Sequence, residues 1–276
     1  MIFVYSKWER FCKQLSEKGF KSIPAKEVRS ETVKYVVLKH DVETDVSKAF
    51  KMAQIEQKYG HCGSYYVQAY LMNDEKNVEM LKKMQDMGHE ISYHYDVMDS
   101  CKGDIDKAIS EFELNVEKFI QNGFELKTLC QHGNPIVERV GYTSNRDFFR
   151  SERVQGLYPE MADIMVDFKT KYQTEYLYFS DAGRHFQLIY DPINNDVVKS
   201  DDKNVLYKNT DELLDALSEN GGNIISTHPH RWTKSAVKYV IKASLFKLIK
   251  SVAKILIKIP FMKKFMSRYY YLAKKI

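Results

Sequence analysis

From position 33 onward the chain alternates short runs of β-branched and aromatic residues with longer stretches of helical spacing. Val33 to Asp41 (VKYVVLKHD) reads as a buried strand. Asp45 to Tyr59 sets Val46, Ala49, Phe50, Ala53 and Ile55 at helical intervals, and Gly60 supplies the stop. Cys62 to Val67 (CGSYYV) is a second strand, Glu75 to Met87 a helix ended by Gly88, and Glu90 to His94 (EISYH) a short third strand. Asp104 to Gln121 is a longer helix closed by Asn122-Gly123, and Lys127 to His132 (KTLCQH) a fourth strand. Ahead of this series a short helix and a loop run to about Pro24.

Strands alternating with helices of this length predict βαβ units and a parallel sheet. Beyond Gly133 the order blurs. The stretch 134–159 is polar and longer than most connections, which predicts a functional loop. Thr174 to Asp181 (TEYLYFSD) reads as a strand, and Asp211 to Glu219 as a helix with acidic residues in its first turn. After Gly221-Gly222, Asn223 to Thr227 (NIIST) is a last strand. At 276 residues and 44% apolar, the chain suits one α/β barrel with a sizeable core and not a disordered polymer.

Charge divides the chain further. Positions 231–276 hold 13 Lys and Arg and no Asp or Glu, which leaves 29 basic against 37 acidic residues before them. Residues 234–276 read as one or two helices. Between Leu245 and Ile259, Lys247, Lys250, Lys254 and Lys258 share one face; Leu248, Ile249, Val252, Ile255 and Leu256 share the other. Phe261, Phe265 and Tyr269 to Tyr271 follow Pro260. This pattern predicts a segment lying in the headgroup layer of an anionic membrane, each lysine adding about 1 kcal/mol. A helix docked on the barrel with solvated lysines is the other reading. Nucleic acid is the weaker partner, because the basic residues share a helix with a broad apolar face. No run of about 18 apolar residues predicts a span, and no signal peptide is read at the start. Cys12, Cys62, Cys101 and Cys130 contain no C-x-x-C pair and suit a reducing compartment. The expectation is a cytoplasmic chain, peripheral on the inner face of the membrane.

Five of the eight histidines, His40, His94, His132, His228 and His230, fall at or just past the predicted C-terminal ends of strands. Parallel β/α proteins carry active sites at that end. Any one of these residues is more often structural; five at one end are harder to assign to packing. In His40-Asp41-Val42-Glu43 the two carboxylates point the same way along an extended segment. With His94 and His132 they form a candidate site for a divalent metal, zinc foremost, with Fe, Ni, Co or Mn also suited. The competing reading is that Asp41 or Glu43 caps the helix starting near Asp45.

Taken in order, HDVE (40–43), GHEISYH (88–94), HGNP (132–135), SDAGR (180–184) and THPHRW (227–232) resemble the motifs of a divergent polysaccharide deacetylase, the carbohydrate esterase group of NodB-type fold. The resemblance covers roughly 33–232. It implies an α/β fold, a distorted β/α barrel of about seven parallel strands over 1–232, followed by the basic amphipathic tail, 233–276. It also implies metal-dependent removal of an acyl group from a sugar. By position, Asp41 resembles the metal-binding Asp, His94 the first metal His, and His228 the His that protonates the leaving group.

The chain departs from that pattern in three places. The family's first motif has two adjacent Asp residues, the first a general base; His40 stands there instead. The base is then His40 or Glu43, or else Asp41 is the base and Glu43 the ligand. Met98 replaces a second metal His, and His132 is favoured to fill the gap, ahead of Asp96 or water. An Arg of the third motif is missing, and Arg184 is the candidate for its charge. The resulting expectation has Glu43, His228 and Arg184 catalytic; Asp41, His94 and His132 on the metal; and Asp181, Tyr178, Trp232 and His230 at the substrate. For Trp232, packing under the tail is an equal alternative. The expected substrate is an N-acylated amino sugar on a polyprenyl-(di)phosphate carrier. The alternatives are a non-catalytic sugar-binding relative, as Met98 suggests, and a membrane scaffold for glycan assembly.

Overall fold

The three long helices that connect the first four strands each start from an aspartate cap. In the computed structural model, which describes residues 2–30, 32, 34–134, 137–193 and 205–245, α1 (Tyr5–Glu17) precedes β1 (Tyr35–Val42). There follow α2 (Val46–Lys58), β2 (Gly63–Val67), α3 (Glu75–Asp86), β3 (Glu90–Tyr95), α4 (Val97–Ser100), α5 (Ile105–Gln121) and β4 (Thr128–Gln131). Asp45, Asp74 and Asp104 accept backbone N–H groups at the starts of α2, α3 and α5. Asp45 therefore does the capping that Asp41 and Glu43 were alternatively assigned. The second half runs α6 (Asp147–Arg150), α7 (Glu152–Leu157), β5 (Ala162–Asp163), α8 (Phe168–Tyr172), β6 (Tyr176–Ser180), β7 (Phe186–Ile189), β8 (Leu206–Tyr207), α9 (Thr210–Asp215) and β9 (Gly222–Thr227). A further helix, α10, covers 236–245.

One sheet of nine strands carries the order β5-β4-β3-β2-β1-β9-β6-β7-β8. Pairing is parallel from β5 through β6 and antiparallel at β6–β7 and β7–β8. The expected α/β class and mostly parallel sheet form, but not as a distorted barrel: among the described residues the sheet is open. Its two edges are strands of two residues each, β5 and β8, which offer too few backbone groups to pair round and close. The helix expected over 211–219 stops at Asp215, because Ser218 N–H turns away to donate to Asn223 Oδ1 at 2.8 Å. Only positions up to 245 of the predicted basic tail are described; the amphipathic segment beyond Leu245 lies outside the described residues. No helix among the described residues is long and apolar enough to cross a membrane.

Strand parity assigns the faces. Along β1, Val36 and Leu38 pack into the core under α1 and α2, with Trp8, Phe11, Met52 and Ile55. Tyr35 and Val37 face the opposite core, with Tyr66, Ile164, Phe168 and Ile224. Lys39 and Asp41 share that second face, while His40 falls under the helices. Because β1, β3, β4, β6 and β9 are parallel, their C-terminal ends open at one mouth.

Candidate active site

Asp41 and Glu43 leave the end of β1 beside histidines from three other strands. His94, on β3, places Nδ1 3.0 Å from the Cys130 carbonyl across the β3–β4 register. A carbonyl only accepts, so Nδ1 carries the proton and Nε2 keeps its lone pair. Burial pushes the His94 imidazole down to about 4 despite the Asp41 charge, which keeps it neutral. His132 follows β4, with Nε2 3.4 Å from Glu43 Oε1 and Nδ1 3.6 Å from Asp96 Oδ2. Donor atoms of Glu43, His94 and His132 lie within 4.8 Å of one another, all three residues buried. A second grouping within the same limit joins Asp41, His94 and Cys130.

The two groupings are not equivalent. Asp41 Oδ1 receives the Lys39 ammonium at 2.5 Å inside the sheet. Burial raises the Asp41 carboxyl, but Lys39, His94 and His228 outweigh it and hold it below its ordinary value. Burial drives the Cys130 thiol well above its ordinary value, which disfavours the thiolate a metal needs. Glu43, His94 and His132 are thus the better donor set. One carboxylate and two imidazoles suit zinc or another first-row divalent ion, and both imidazoles have an oxygen beside the other ring nitrogen to orient them.

His228, after β9, faces both carboxylates: its Nε2 lies 3.8 Å from Asp41 Oδ2 and 4.0 Å from Glu43 Oε1. Its Nδ1 donates to Asp181 Oδ1 at 2.6 Å, and its backbone N–H donates to Asp181 Oδ2 at 3.0 Å. Arg231 Nη1 donates to the same Asp181 Oδ1 at 2.7 Å. Burial works against the Asp181 charge, yet Arg231 and His228 hold its carboxyl well below the carboxylate range. Asp181 is fully buried, so it orients His228 and does not meet a substrate.

A cavity of about 210 Å³ opens beside these groups, lined by Lys39, Asp41, Glu43, His94, Tyr178 and His228. Gln131, Arg146, Ser180 and Gln187 add to its polar wall. Tyr178, expected at the substrate, lines this cavity. His230 sits behind Glu43, its Nδ1 3.9 Å from Glu43 Oε2, and burial pushes its imidazole down to about 3.

Three further expectations need correction. Trp232 is fully buried, 5.1 Å from Trp8 and 5.0 Å from Phe3 between ring centroids, and so belongs to the core beneath α1. Arg184 turns from the cavity to hydrogen-bond Tyr239; the arginine at the cavity is Arg146, whose Nη1 donates to the Ile193 carbonyl at 3.0 Å. His40 cannot serve as base, since it lies on the far face with Nδ1 2.7 Å from Thr227 Oγ1 and Nε2 3.0 Å from Glu56 Oε1. Met98, in the position of the missing histidine, is buried in the core against β2, β3 and α5. Lys39 and Arg146 were not anticipated. A lysine inside the apolar run YVVLKHDV is a visible signal of a paired buried charge; Arg146 sits in an aperiodic loop and gives none.

Comparison of the chain with protein-family models, curated proteins and solved structures returned no match.

Proposed function

We propose that the chain is a metal-dependent deacylase that removes the acyl group from an N-acylated amino sugar, on a divergent NodB-type scaffold. The observation that carries this reading is the meeting of Glu43, His94 and His132 beside an Asp181-oriented His228 at one strand end. Glu43, His94 and His132 would hold the ion, which supplies Lewis-acid polarisation of the acyl carbonyl and acidification of a water. Asp41 then fits the general base, and the Lys39 ammonium keeps it ionised. His228 donates the proton to the nitrogen as the C–N bond breaks, and the Asp181 carboxylate, itself held in place by Arg231, orients the ring for that transfer. The cavity, below the roughly 300 Å³ at which drug-sized pockets begin, suits one acylated ring rather than a polymer cleft.

In this proposal the substrate is an amino sugar on a polyprenyl-(di)phosphate carrier, and the enzyme works at the cytoplasmic face of the membrane. The basic 231–276 segment supports the surface, and the small cavity supports a short glycan. The test is elemental analysis of protein purified without chelator, alongside acetate release from N-acetylated lipid-linked sugars. Near-stoichiometric Zn, Fe, Ni, Co or Mn with acetate release is the expected result. No bound metal after soaking in each ion would sink the hydrolase and leave a sugar-binding module.

A further inference from the structure

Two hollows of about 330 and 490 Å³ adjoin outside the cavity already described, sharing Asp45, Ser47, Lys48 and Lys242 as walls. They form one groove between the first turns of α2 and the inner side of α10. Lys48 and Lys51 enter from α2; Lys238 and Lys242, one turn apart on α10, enter from the other side, with Lys234 just ahead of that helix. Among the described residues, two carboxylates line the groove, and both are engaged as helix caps: Asp45 accepts Lys48 N–H, and Asp74 accepts Lys76 N–H. Asp45 attracts Lys48 and Glu9 attracts Lys51 through space, and the three lysines on the α10 side add their charge to the same groove.

These positive charges are held together rather than dispersed. Lys48 Nζ donates to the His230 carbonyl at 2.5 Å, which fixes it at the inner end and leaves two of its protons for another acceptor. Burial lowers its pKa, and Lys242 and Arg184 lower it further, so the crowded ammonium groups repel one another. An anion between them removes that repulsion. His230 lines the groove and also stands 3.9 Å from Glu43, so the groove ends at the back of the candidate metal set.

We infer that this lysine groove binds the phosphate or diphosphate ester of the substrate. The inference rests on the deacylase reading for its orientation only. In a 2-amino sugar the acylamino group and the anomeric oxygen occupy neighbouring carbons, so an anomeric phosphate falls beside a carbonyl held at Glu43. Several lysines suit a flexible, multiply charged phosphate chain, which needs point charges more than a planar fork. The outer side of α10 exposes Val237, Val240, Ile241 and Leu245, an apolar stripe next to the groove that favours a lipid ester over a free one.

The experiment is calorimetric titration of the full chain, treated with chelator so that no metal recruits the anion, with inorganic diphosphate as probe. Saturable binding is expected, weakened about tenfold in Lys238→Gln/Lys242→Gln and also reduced in the exposed-site variant Lys51→Gln. Unchanged far-ultraviolet dichroism checks that the variants fold. Vesicle flotation then separates the sources. Tighter binding to phosphatidylcholine vesicles carrying a polyprenyl diphosphate than to the free anion assigns a lipid ester, and equal binding assigns a soluble one. Absence of saturable diphosphate binding overturns the inference. So does an affinity unchanged in both variants, or retention only on phosphatidylcholine–phosphatidylglycerol vesicles. Because no turnover is read, a chain that binds diphosphate yet releases no acetate keeps the groove and loses the deacylase.

Discussion

His228 donates through Nδ1 to Asp181 Oδ1 at 2.6 Å, and Asp181 is itself clamped by Arg231. The pair fixes which ring nitrogen faces Asp41 and Glu43, and it supplies the negative charge a protonated imidazole requires. Asp181→Asn preserves the shape but offers an amide where a carboxylate stood. The expected outcome is a fall in kcat of about 10³-fold or more with KM nearly unchanged. Steady-state kinetics on an acetylated amino-sugar substrate check it; a variant that changes only KM would put Asp181 in substrate binding after all.

The assignment of Glu43 to the metal and Asp41 to proton transfer separates in two substitutions. Glu43→Gln and His94→Ala are expected to lose bound metal on dialysis, while Asp41→Asn retains it and loses activity by about 10²- to 10⁴-fold. Asp96→Asn, acting through His132, should weaken metal affinity by about 10- to 100-fold without abolishing it. Elemental analysis with competitive chelation reads all four. Metal retained in Glu43→Gln and lost in Asp41→Asn would reverse the roles.

Much of this site was legible in the sequence because strand ends are. The runs ending at His94, His132 and Thr227, just before His228, are bounded by turn residues, and the parallel order follows from helices between them. Parity also separates His40 from Asp41, since adjacent strand residues face opposite sides, and it puts Lys39 with Asp41. That rule was available from the residues alone. The division of labour between Asp41 and Glu43 was not, because Glu43 lies one residue beyond β1, where the period of two no longer aims the side chain. Arg146 was invisible for a related reason: it reaches the cavity from the loop leading into α6. The edge strands β5 and β8, and β7 beside β8, hold two to four residues, too few to show a period. Closure of the sheet depends on those edges and could not be read.

Trp232 follows a motif of exposed chemistry yet lies in the core, ringed by Phe3 and Trp8. Trp232→Ala leaves a large hole where α1 meets the sheet. The expected cost is about 3–5 kcal/mol of stability, seen as a lower urea midpoint, with the KM of the folded fraction unchanged. A raised KM at full stability would return Trp232 to the substrate.

His61 provides a test of acid sensitivity remote from the metal set. Ser22 N–H donates to its Nδ1 at 3.3 Å, so the proton sits on Nε2, which reaches the Cys12 carbonyl at 2.9 Å. The ring is neutral and wedged between α1 and β2, and burial holds its pKa below the ordinary 6.5. Between the folded-state value and 6.5 the unfolded chain binds more protons than the folded one, so stability rises with pH across that window. The contribution is complete above 6.5 and is lost as the medium is acidified through it. His61→Gln carries no titrating ring there. In chelator, the urea midpoint of the parent should therefore fall more steeply from pH 7 to pH 5 than that of the variant. Equal slopes would mean that His61 accepts its proton without leaving its place, with Nδ1 finding a new acceptor as the Ser22 N–H moves aside.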